Sequence, residues 1–98
     1  MKTLTTTQRQ YLKGLAHTRQ PVVMIGNHGL TSAVLKEIEL ALNAHELIKI
    51  KASSDELETR HAWMAEICAS TGAASVQQIG KILVIYRKAS KPVITLPL

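Results

Sequence analysis

The spacing of apolar residues along the chain predicts helices first. Thr5 and Gln8 form a capping-box pattern, so a first helix is expected from there to about Thr18. Thr31 is the expected N-cap of a second helix that runs to about Ala44, with apolar positions close to a 3.6-residue period. The positions expected to face inward are Tyr11, Leu12, Leu15 and Ala16 in the first helix and Val34, Leu35, Ile38, Ala41 and Leu42 in the second.

A third helix and four strands are predicted in the remainder of the chain. Residues 53–56 (Ser-Ser-Asp-Glu) resemble a capping box ahead of a third helix that ends at Gly72. Its expected inward residues are Leu57, His61, Met64, Ile67 and Cys68. The segment from Val22 to Ile25 is apolar throughout, which is typical of a strand buried on both faces in the middle of a sheet. The other predicted strands are Leu47 to Lys51, Ser75 to Ile79 and Lys81 to Tyr86.

The order of these elements indicates the fold class. The predicted order is helix, strand, helix, strand, helix, strand, strand. It contains two strand-helix-strand crossovers, which imply parallel pairing of the strands they connect. The last two strands flank Gly80 and are expected to form an antiparallel hairpin. The sequence thus predicts a single α/β domain over residues 1–98, with a mixed four-stranded sheet packed with three helices. Pro92 and Pro97 make the tail from about residue 89 irregular.

Composition adds limits on localisation. The chain is 46% hydrophobic and 19% charged, which is typical of a globular protein. Its longest apolar runs are far too short to cross a bilayer, and residues 1–10 lack the apolar region of a signal peptide. Cys68 is the only cysteine in the sequence, which fits a reducing compartment. A cytoplasmic protein without a membrane partner is expected.

Charge is distributed unevenly along the chain. All seven acidic residues lie between Glu37 and Glu66, and the formal net charge is +5. The basic residues that flank this segment are Lys2, Arg9, Lys13, Arg19 and Lys36 before or at its start and Lys81, Arg87, Lys88 and Lys91 after it. If the two flanks meet in the fold, they form one basic face of the kind that binds nucleic acid. An ordinary basic surface without a partner is the alternative.

The segment from Gly26 to Gly29 is the best candidate for binding. It lies between a strand and a helix, where glycines permit unusual backbone angles and leave room for a phosphate. The helix that follows offers free amides and a positive dipole end. An ordinary tight turn is the other interpretation of two glycines at this spacing. The segment lacks the Gly-Lys-Ser/Thr of a Walker loop and the third glycine of a dinucleotide-binding fingerprint.

Catalytic and metal-binding patterns are not found in the sequence. The four histidines are scattered, and neither an HExxH motif nor paired cysteines are present. With Tyr11, Trp63 and Tyr86 as the only aromatic residues, a base-stacking sheet is not expected, and Trp63 is interpreted as packing. We therefore expect no catalytic residue, metal, cofactor or small-molecule substrate.

Several segments taken together resemble the CRM domain, the chloroplast RNA splicing and ribosome maturation family. They are Leu4-Thr5, Pro21 to Thr31, His45 to Lys51, Gln78 to Lys81 and Leu83 to Arg87. The resemblance covers nearly the whole chain and is closest to free-standing bacterial members. It implies a fold similar to the C-terminal domain of translation initiation factor three. It also implies non-catalytic RNA binding, with association to ribosomal RNA in precursors of the large ribosomal subunit.

The resemblance also implies which residues bind RNA. The Gly-x-x-Gly motif of the family falls on Gly26 to Gly29, and many members have a basic residue where this chain has the neutral Asn27. Other residues must then supply more of the attraction to phosphate. The full set expected to bind RNA is Gly26, Asn27, His28, Gly29, Leu30, Thr31, Lys36, Lys49, Lys51, Arg87, Lys88, Arg9 and Lys13. The expected protein is a monomer whose partner is RNA. The alternative is an interaction module that docks a basic protein through its acidic third helix.

Overall fold

The computed structural model describes residues 3–98, and it contains the three helices and four strands that the sequence predicts. Lys2, which was counted with the basic flank, lies outside the described residues. The elements are α1 (Thr6–Ala16), β1 (Pro21–Ile25), α2 (Ser32–His45), β2 (Leu47–Ala52), α3 (Leu57–Thr71), β3 (Ala74–Ile79) and β4 (Ile82–Tyr86). The predicted order and the mixed four-stranded sheet are confirmed.

The strands lie in the order β1-β2-β4-β3. β1 pairs with β2 in parallel, and β4 pairs antiparallel with both β2 and β3. β2 and β3 therefore run in the same direction with β4 between them, so both predicted crossovers connect parallel strands. The strand directions define two ends of the sheet. We call the end where β1 and β2 finish and β4 begins the loop end. The opposite end, where β1 and β2 begin and β4 finishes, is the tail end.

Helices cover the two faces of the sheet unequally. α2 and α3 pack on one face over the main core, whose largest members are Ile25, Ile38, Leu42, Ile48, Ile50, Ile67, Leu83 and Ile85. α1 packs on the opposite face over a second cluster formed by Leu4, Leu12, Ala16, Leu47, Val76, Val84 and Tyr86. Because α1 is a single helix of 11 residues, it leaves part of its face of the sheet uncovered.

The prediction that β1 lies in the middle of the sheet is wrong. β1 is an edge strand, with Val23 and Ile25 buried in the main core and Val22 and Met24 exposed on the other face. An unbroken apolar run does not reveal how many neighbours a strand has. Here α1 does not extend over β1, so the apolar residues of that face remain in contact with solvent.

The helix ends show which local predictions hold. Thr5 and Gln8 form the expected capping box on α1, and Thr31 caps α2 with its side chain. The capping box predicted for α3 is absent, because Glu56 is the N-cap and makes no side-chain cap hydrogen bond. The Ser54 hydroxyl instead accepts a hydrogen bond from the Glu56 amide at 3.2 Å. Gly72 ends α3 in the left-handed conformation, as expected.

Three residues predicted to face inward are exposed. They are Tyr11 on α1 and Leu57 and His61 on α3. Each lies at the margin of its helix's apolar stripe, where helical spacing alone does not separate buried positions from exposed ones. The inward positions predicted for α2 are confirmed, since Ile38 and Leu42 are buried and Val34, Leu35 and Ala41 pack against the main core.

Candidate nucleic-acid interface

The segment Gly26 to Gly29 forms a tight turn between β1 and α2. The Gly29 amide donates a hydrogen bond to the Gly26 carbonyl at 3.0 Å, and the Thr31 amide donates to the Gly29 carbonyl at the same distance. Asn27 and His28 are exposed at the tip of the turn. The turn's own hydrogen bonds are thus made by the backbone, and both tip side chains are free to meet a ligand.

The two glycines of the turn differ in whether the backbone conformation requires glycine. Gly29 has a φ of 74°, a left-handed conformation that side-chain-bearing residues rarely adopt. Gly26 does not have a positive φ, and a Cβ atom built on it would meet no atom within 4 Å. The fold therefore requires glycine at Gly29 but leaves open space at Gly26. That space is available to a phosphate or a sugar.

The start of α2 presents backbone donors beside this turn. The Thr31 hydroxyl accepts a hydrogen bond from the Val34 amide at 3.2 Å, which satisfies one of the amides that a helix start leaves without a partner. Ser32 and Ala33 are exposed, and the first turn of α2 contains no acidic residue. The positive end of the helix dipole is therefore not neutralised by α2 itself, which favours an anion there.

Trp63 of α3 lies beneath the turn. Its Cζ2 atom would be 3.8 Å from a Cβ atom placed on Gly29, which is ordinary van der Waals contact. The indole is half-buried and packs against the main core. The sequence interpretation of Trp63 as packing is confirmed, and the structure adds that this ring lies close to Gly29 of the turn.

The face of the sheet that carries α1 is basic near the loop end. Lys49 and Lys51 point to this face, because Ile48 and Ile50 between and beside them are in the main core on the other face. Lys51 is the strand neighbour of Met24, which directly precedes Ile25 and the turn. Lys13 of α1 and Lys49 line the same depression on this face. Lys51, Lys49 and Lys13 thus lie on one face of the sheet, at increasing distance from Gly26.

Carboxylates are rare on this face. Glu37 and Glu39 belong to α2, Glu58 and Glu66 belong to α3, and Asp55 and Glu56 precede α3. Within residues 3–98 the two salt bridges are Lys81 to Asp55 and Arg87 to Glu39. Consequently Lys13, Lys36, Lys49 and Lys51 have no acidic partner in the described part of the chain. The lysines of the α1 face are therefore separated from the acidic residues of α2 and α3.

The structure brings together some of the residues expected to bind RNA and separates others. Residues 26–31, Lys51 and the exposed Lys36 of α2 lie toward the loop end, and Lys49 and Lys13 lie next along the α1 face. Arg87 and Lys88 follow β4 and lie at the tail end, and Arg87 is about 17 Å from the level of Lys51 along the strands. Arg9 donates a hydrogen bond to the Ser75 carbonyl at the start of β3.

Arg87 is held by groups of the protein itself. Its guanidinium donates to a Glu39 carboxylate oxygen and to the Thr71 carbonyl, both at 2.8 Å, and to the Asn43 side chain at 2.9 Å. Its side chain is 20% exposed. These bonds join the C-terminal parts of α2 and α3 to the end of β4. The basic character of Arg87 is therefore already used inside the fold.

Glu46 is a structural residue that the sequence analysis did not single out. It caps the C-terminus of α2 with a φ of 64°, and its side chain is fully buried. Its carboxylate accepts hydrogen bonds from the amides of Ala89 (2.7 Å), Val93 (2.8 Å) and Ile94 (2.7 Å). Burial raises its pKa, but these amides and the charge of Lys88 outweigh that effect and hold the pKa below its ordinary value of 4.5. This carboxylate thus fastens the first part of the tail to the domain, and the Gln8 side chain donates a hydrogen bond to the Pro97 carbonyl at 3.1 Å near its end.

Reactive side chains in residues 3–98 are isolated from one another. That part of the chain contains no cluster of three or more histidine, cysteine or acidic residues able to hold a metal ion. Cys68 is half-buried on α3, and this burial raises the pKa of its thiol, so the reactive thiolate is disfavoured. None of the helices in this range has the length and apolar composition needed to cross a membrane.

Comparison with known proteins gives a consistent set of relatives. An RNA-binding protein of Haemophilus influenzae is 54% identical over 97 residues, which is 99% of this chain and 98% of the relative. A "Probable RNA-binding protein" of Pseudomonas aeruginosa is 44% identical, covering 91% of this chain and 86% of the relative. A Staphylococcus aureus protein described as "a putative RNA binding protein" has a similar solution structure, with a TM-score of 0.84, 33% identity and coverage of 96% and 99% of the two chains.

The family comparison agrees with the resemblance found in the sequence. The model of the CRS1 / YhbY (CRM) domain matches residues 4–87, a range that includes all seven elements of the fold and the Gly-x-x-Gly turn. With this match and the relatives above, the chain belongs to the CRS1 / YhbY (CRM) domain family.

Proposed function

We propose that this protein is a non-catalytic RNA-binding factor that grips the sugar-phosphate backbone with the turn Gly26 to Gly29 and the start of α2. The observation that carries the proposal is the open space at Gly26, which the fold does not need, beside a helix start without an acidic residue. Backbone amides in this arrangement hold a phosphate without reading its base. Relatives across most of the chain's length are named as RNA-binding proteins.

The lysines of the basic face provide the longer-range attraction in this proposal. The turn has no lysine or arginine, so Lys49 and Lys51 of the basic face, together with Lys36 on α2 near the turn, supply the positive charge; none of the three has an acidic partner in residues 3–98. Each phosphate contact releases counterions, and the logarithm of affinity for single strands should fall with the logarithm of salt by about 0.7 per contact. Affinity that does not change with salt would contradict this part of the proposal.

The proposed target is ribosomal RNA in precursors of the large ribosomal subunit. This choice rests on the family to which the chain belongs, whose name includes ribosome maturation, and the protein's own contacts do not distinguish one RNA from another. Crosslinking the protein to RNA in cells and sequencing the bound fragments tests it. Fragments of large-subunit ribosomal RNA are expected, and an equal spread over unrelated RNAs would contradict this target.

Substitution of Gly26 tests the turn without disturbing the fold. Gly26→Asp places a carboxylate in the open space, where it should repel a phosphate and reduce RNA affinity by at least about tenfold. Gly26→Asn has nearly the same size and no charge, so it separates repulsion from steric exclusion. Circular dichroism and thermal melting should show both variants folded. If folded Gly26→Asp binds RNA as the wild type does, the turn does not bind the backbone.

Docking of a basic protein on α3 is less well supported. Glu58 and Glu66 are exposed on this helix, but they are about 12 Å apart along its axis, and nearby Asp55 is paired with Lys81. Pull-down from cell extract before and after nuclease treatment distinguishes the two functions. Partners that persist after RNA is removed, and are lost when Glu58 is replaced by glutamine, would favour the protein-docking function.

A further inference from the structure

The sheet has an uncovered row on its α1 face at the loop end. Cα pairing places Met24 of β1 beside Lys51 of β2, Lys51 beside Ile82 of β4, and Ile82 beside Ile79 of β3. Met24 is 59% exposed and Ile79 is 58% exposed. These four residues, here called the uncovered row, form a strip across the whole sheet. The strip begins two residues before Gly26.

A groove lies between the uncovered row and α1. Its volume is about 480 Å³, within the range of sites that hold small organic groups. Ile79, Ile82 and Val84 form an aliphatic floor, Lys13 and Lys49 bring positive charge, and Gln10 and Gln77 bring side-chain amides. Neither the charged groups nor these two amides are engaged by a side-chain hydrogen bond or a salt bridge in residues 3–98.

These three kinds of surface match three features of a nucleotide. Its base has an apolar face that can lie on aliphatic side chains and an edge that an amide can hydrogen-bond. The phosphate of the nucleotide is an anion that lysine attracts. A neutral peptide would meet the aliphatic strip but not neutralise the three lysines on this face, and a second copy of this chain, with a net charge of +5, would add positive charge to them. Charge complementarity therefore favours a nucleic-acid strand.

We propose that the groove and the uncovered row are a second site for the RNA strand that the turn holds. This rests on the proposed function. The backbone leaves the turn along Met24 and Lys51, a base lies on Ile79 and Ile82, and the Gln10 and Gln77 amides bind the edge of that base. Lys13 and Lys49 bind the adjoining phosphate. The turn binds any sequence, whereas the groove gives the protein a preference among bases.

RNA length separates the two sites experimentally. A turn of this kind clamps about four nucleotides, so a tetranucleotide occupies the turn alone and a dodecanucleotide reaches the groove. Gln77→Leu should lower affinity for the dodecanucleotide by about five- to tenfold, as expected for a lost hydrogen bond, and leave the tetranucleotide unaffected. It should also reduce the difference between adenine-rich and uracil-rich dodecanucleotides. Gln20→Leu, a change at the exposed residue directly before β1, is the matched control.

Lysine variants test the charge of the groove in the same assay. Lys49→Met should lower affinity for the dodecanucleotide and reduce the salt slope by about 0.7. Lys91→Met, at an exposed position in the tail, should change neither. If Gln77→Leu and Lys49→Met bind the dodecanucleotide as the wild type does while Gly26→Asp does not, the second site is wrong and the turn stands. If Gly26→Asp binds both lengths normally, the proposed function itself fails.

A measurement on the wild type removes dependence on the variants' stability. Nuclear magnetic resonance titration with the dodecanucleotide should shift the amide signals of Gln77, Ile79 and Ile82, and the tetranucleotide should leave them in place. Unchanged signals at all three positions with the longer RNA would overturn the proposal. So would a wild-type dimer in sedimentation that Ile79→Lys dissociates, because a second copy of the chain would then cover the row.

Discussion

The two ends of the sheet both carry basic residues, but they use them in opposite ways. At the tail end, Arg87 is bound to Glu39, Asn43 and Thr71, and Arg19 donates to the Leu47 carbonyl at 2.8 Å. Toward the loop end, Lys36 and Lys51 are exposed and have no acidic partner in residues 3–98. The arginines at the tail end thus hold the fold together, whereas the exposed lysines toward the loop end are the ones that the proposed function assigns to RNA.

This difference shows why net charge alone is a poor guide to a binding surface. A guanidinium that is already surrounded by carbonyl and carboxylate oxygens has little capacity left for a phosphate. An exposed ammonium loses little when it exchanges water for a phosphate, and it releases counterions in doing so. The presence or absence of an internal acceptor, rather than the sign of the charge, distinguishes Arg87 and Arg19 from Lys36 and Lys51.

Glu46 provides the largest test of the tail end. Glu46→Ala would leave three part-buried amides without an acceptor and should lower the free energy of unfolding by about 3 kcal/mol. Chemical denaturation measures this loss. RNA affinity of the folded fraction should be unchanged, because the carboxylate lies at the end of the sheet away from the turn. Weakened binding by a fully folded variant would show that the two ends are coupled.

The same carboxylate should make stability depend on pH in a defined direction. Its pKa in the folded protein is lowered, so its contribution is complete above the unfolded value and is lost as the pH falls through the folded value. The wild type should therefore lose stability below about pH 4.5. Glu46→Gln cannot ionise at this position and should lose less over the same range. Parallel acid profiles for the two proteins would contradict the assignment.

Arg87 and Lys51 form a matched pair that tests the comparison directly. Arg87→Met should lower the free energy of unfolding by about 2 kcal/mol, because Glu39 and the Thr71 carbonyl lose their donor. Its RNA affinity should be unchanged. Lys51→Met should change stability by no more than about 0.5 kcal/mol and reduce RNA affinity a few-fold. Thermal melting and filter binding on both variants measure the two effects. A reversed pattern would overturn the division of the basic residues.

Asp55 should give the smallest effect. Its carboxylate binds Lys81 at 2.8 Å, and this hydrogen bond lowers the pKa of Asp55. Because the pair is exposed, Asp55→Asn should leave the melting temperature nearly unchanged. It would also release Lys81 at the loop end, where affinity for RNA should rise by about twofold and the salt slope by up to about 0.7. Asp55→Glu keeps the charge and should leave affinity as it is.

The sequence predicts much of this fold because its strongest signals are local. The capping box of Thr5 and Gln8, the N-cap Thr31 and the apolar period of α2 depend on residues within a few positions of one another. The turn at Gly26 to Gly29 was recognised in the same way. These features do not need knowledge of distant parts of the chain.

The features that sequence analysis missed depend on distant partners. Glu46 is 43 to 48 positions from the amides it binds, and Arg87 is 48 positions from Glu39. The edge position of β1 depends on how far α1 extends across the sheet, which no local pattern encodes. The uncovered row draws one residue from each of four strands. Its members therefore have no common spacing in the sequence.

The indole beneath the turn offers a way to observe the loop without labelling it. Trp63 is the only tryptophan of the chain, and its ring lies within van der Waals reach of the Gly29 position. Its emission should therefore respond when the turn changes its solvent exposure or conformation. Because the ring belongs to α3 and not to the turn, we expect the emission to change without direct contact between the indole and the ligand. Trp63 is therefore an intrinsic fluorescence probe for changes at the turn Gly26 to Gly29.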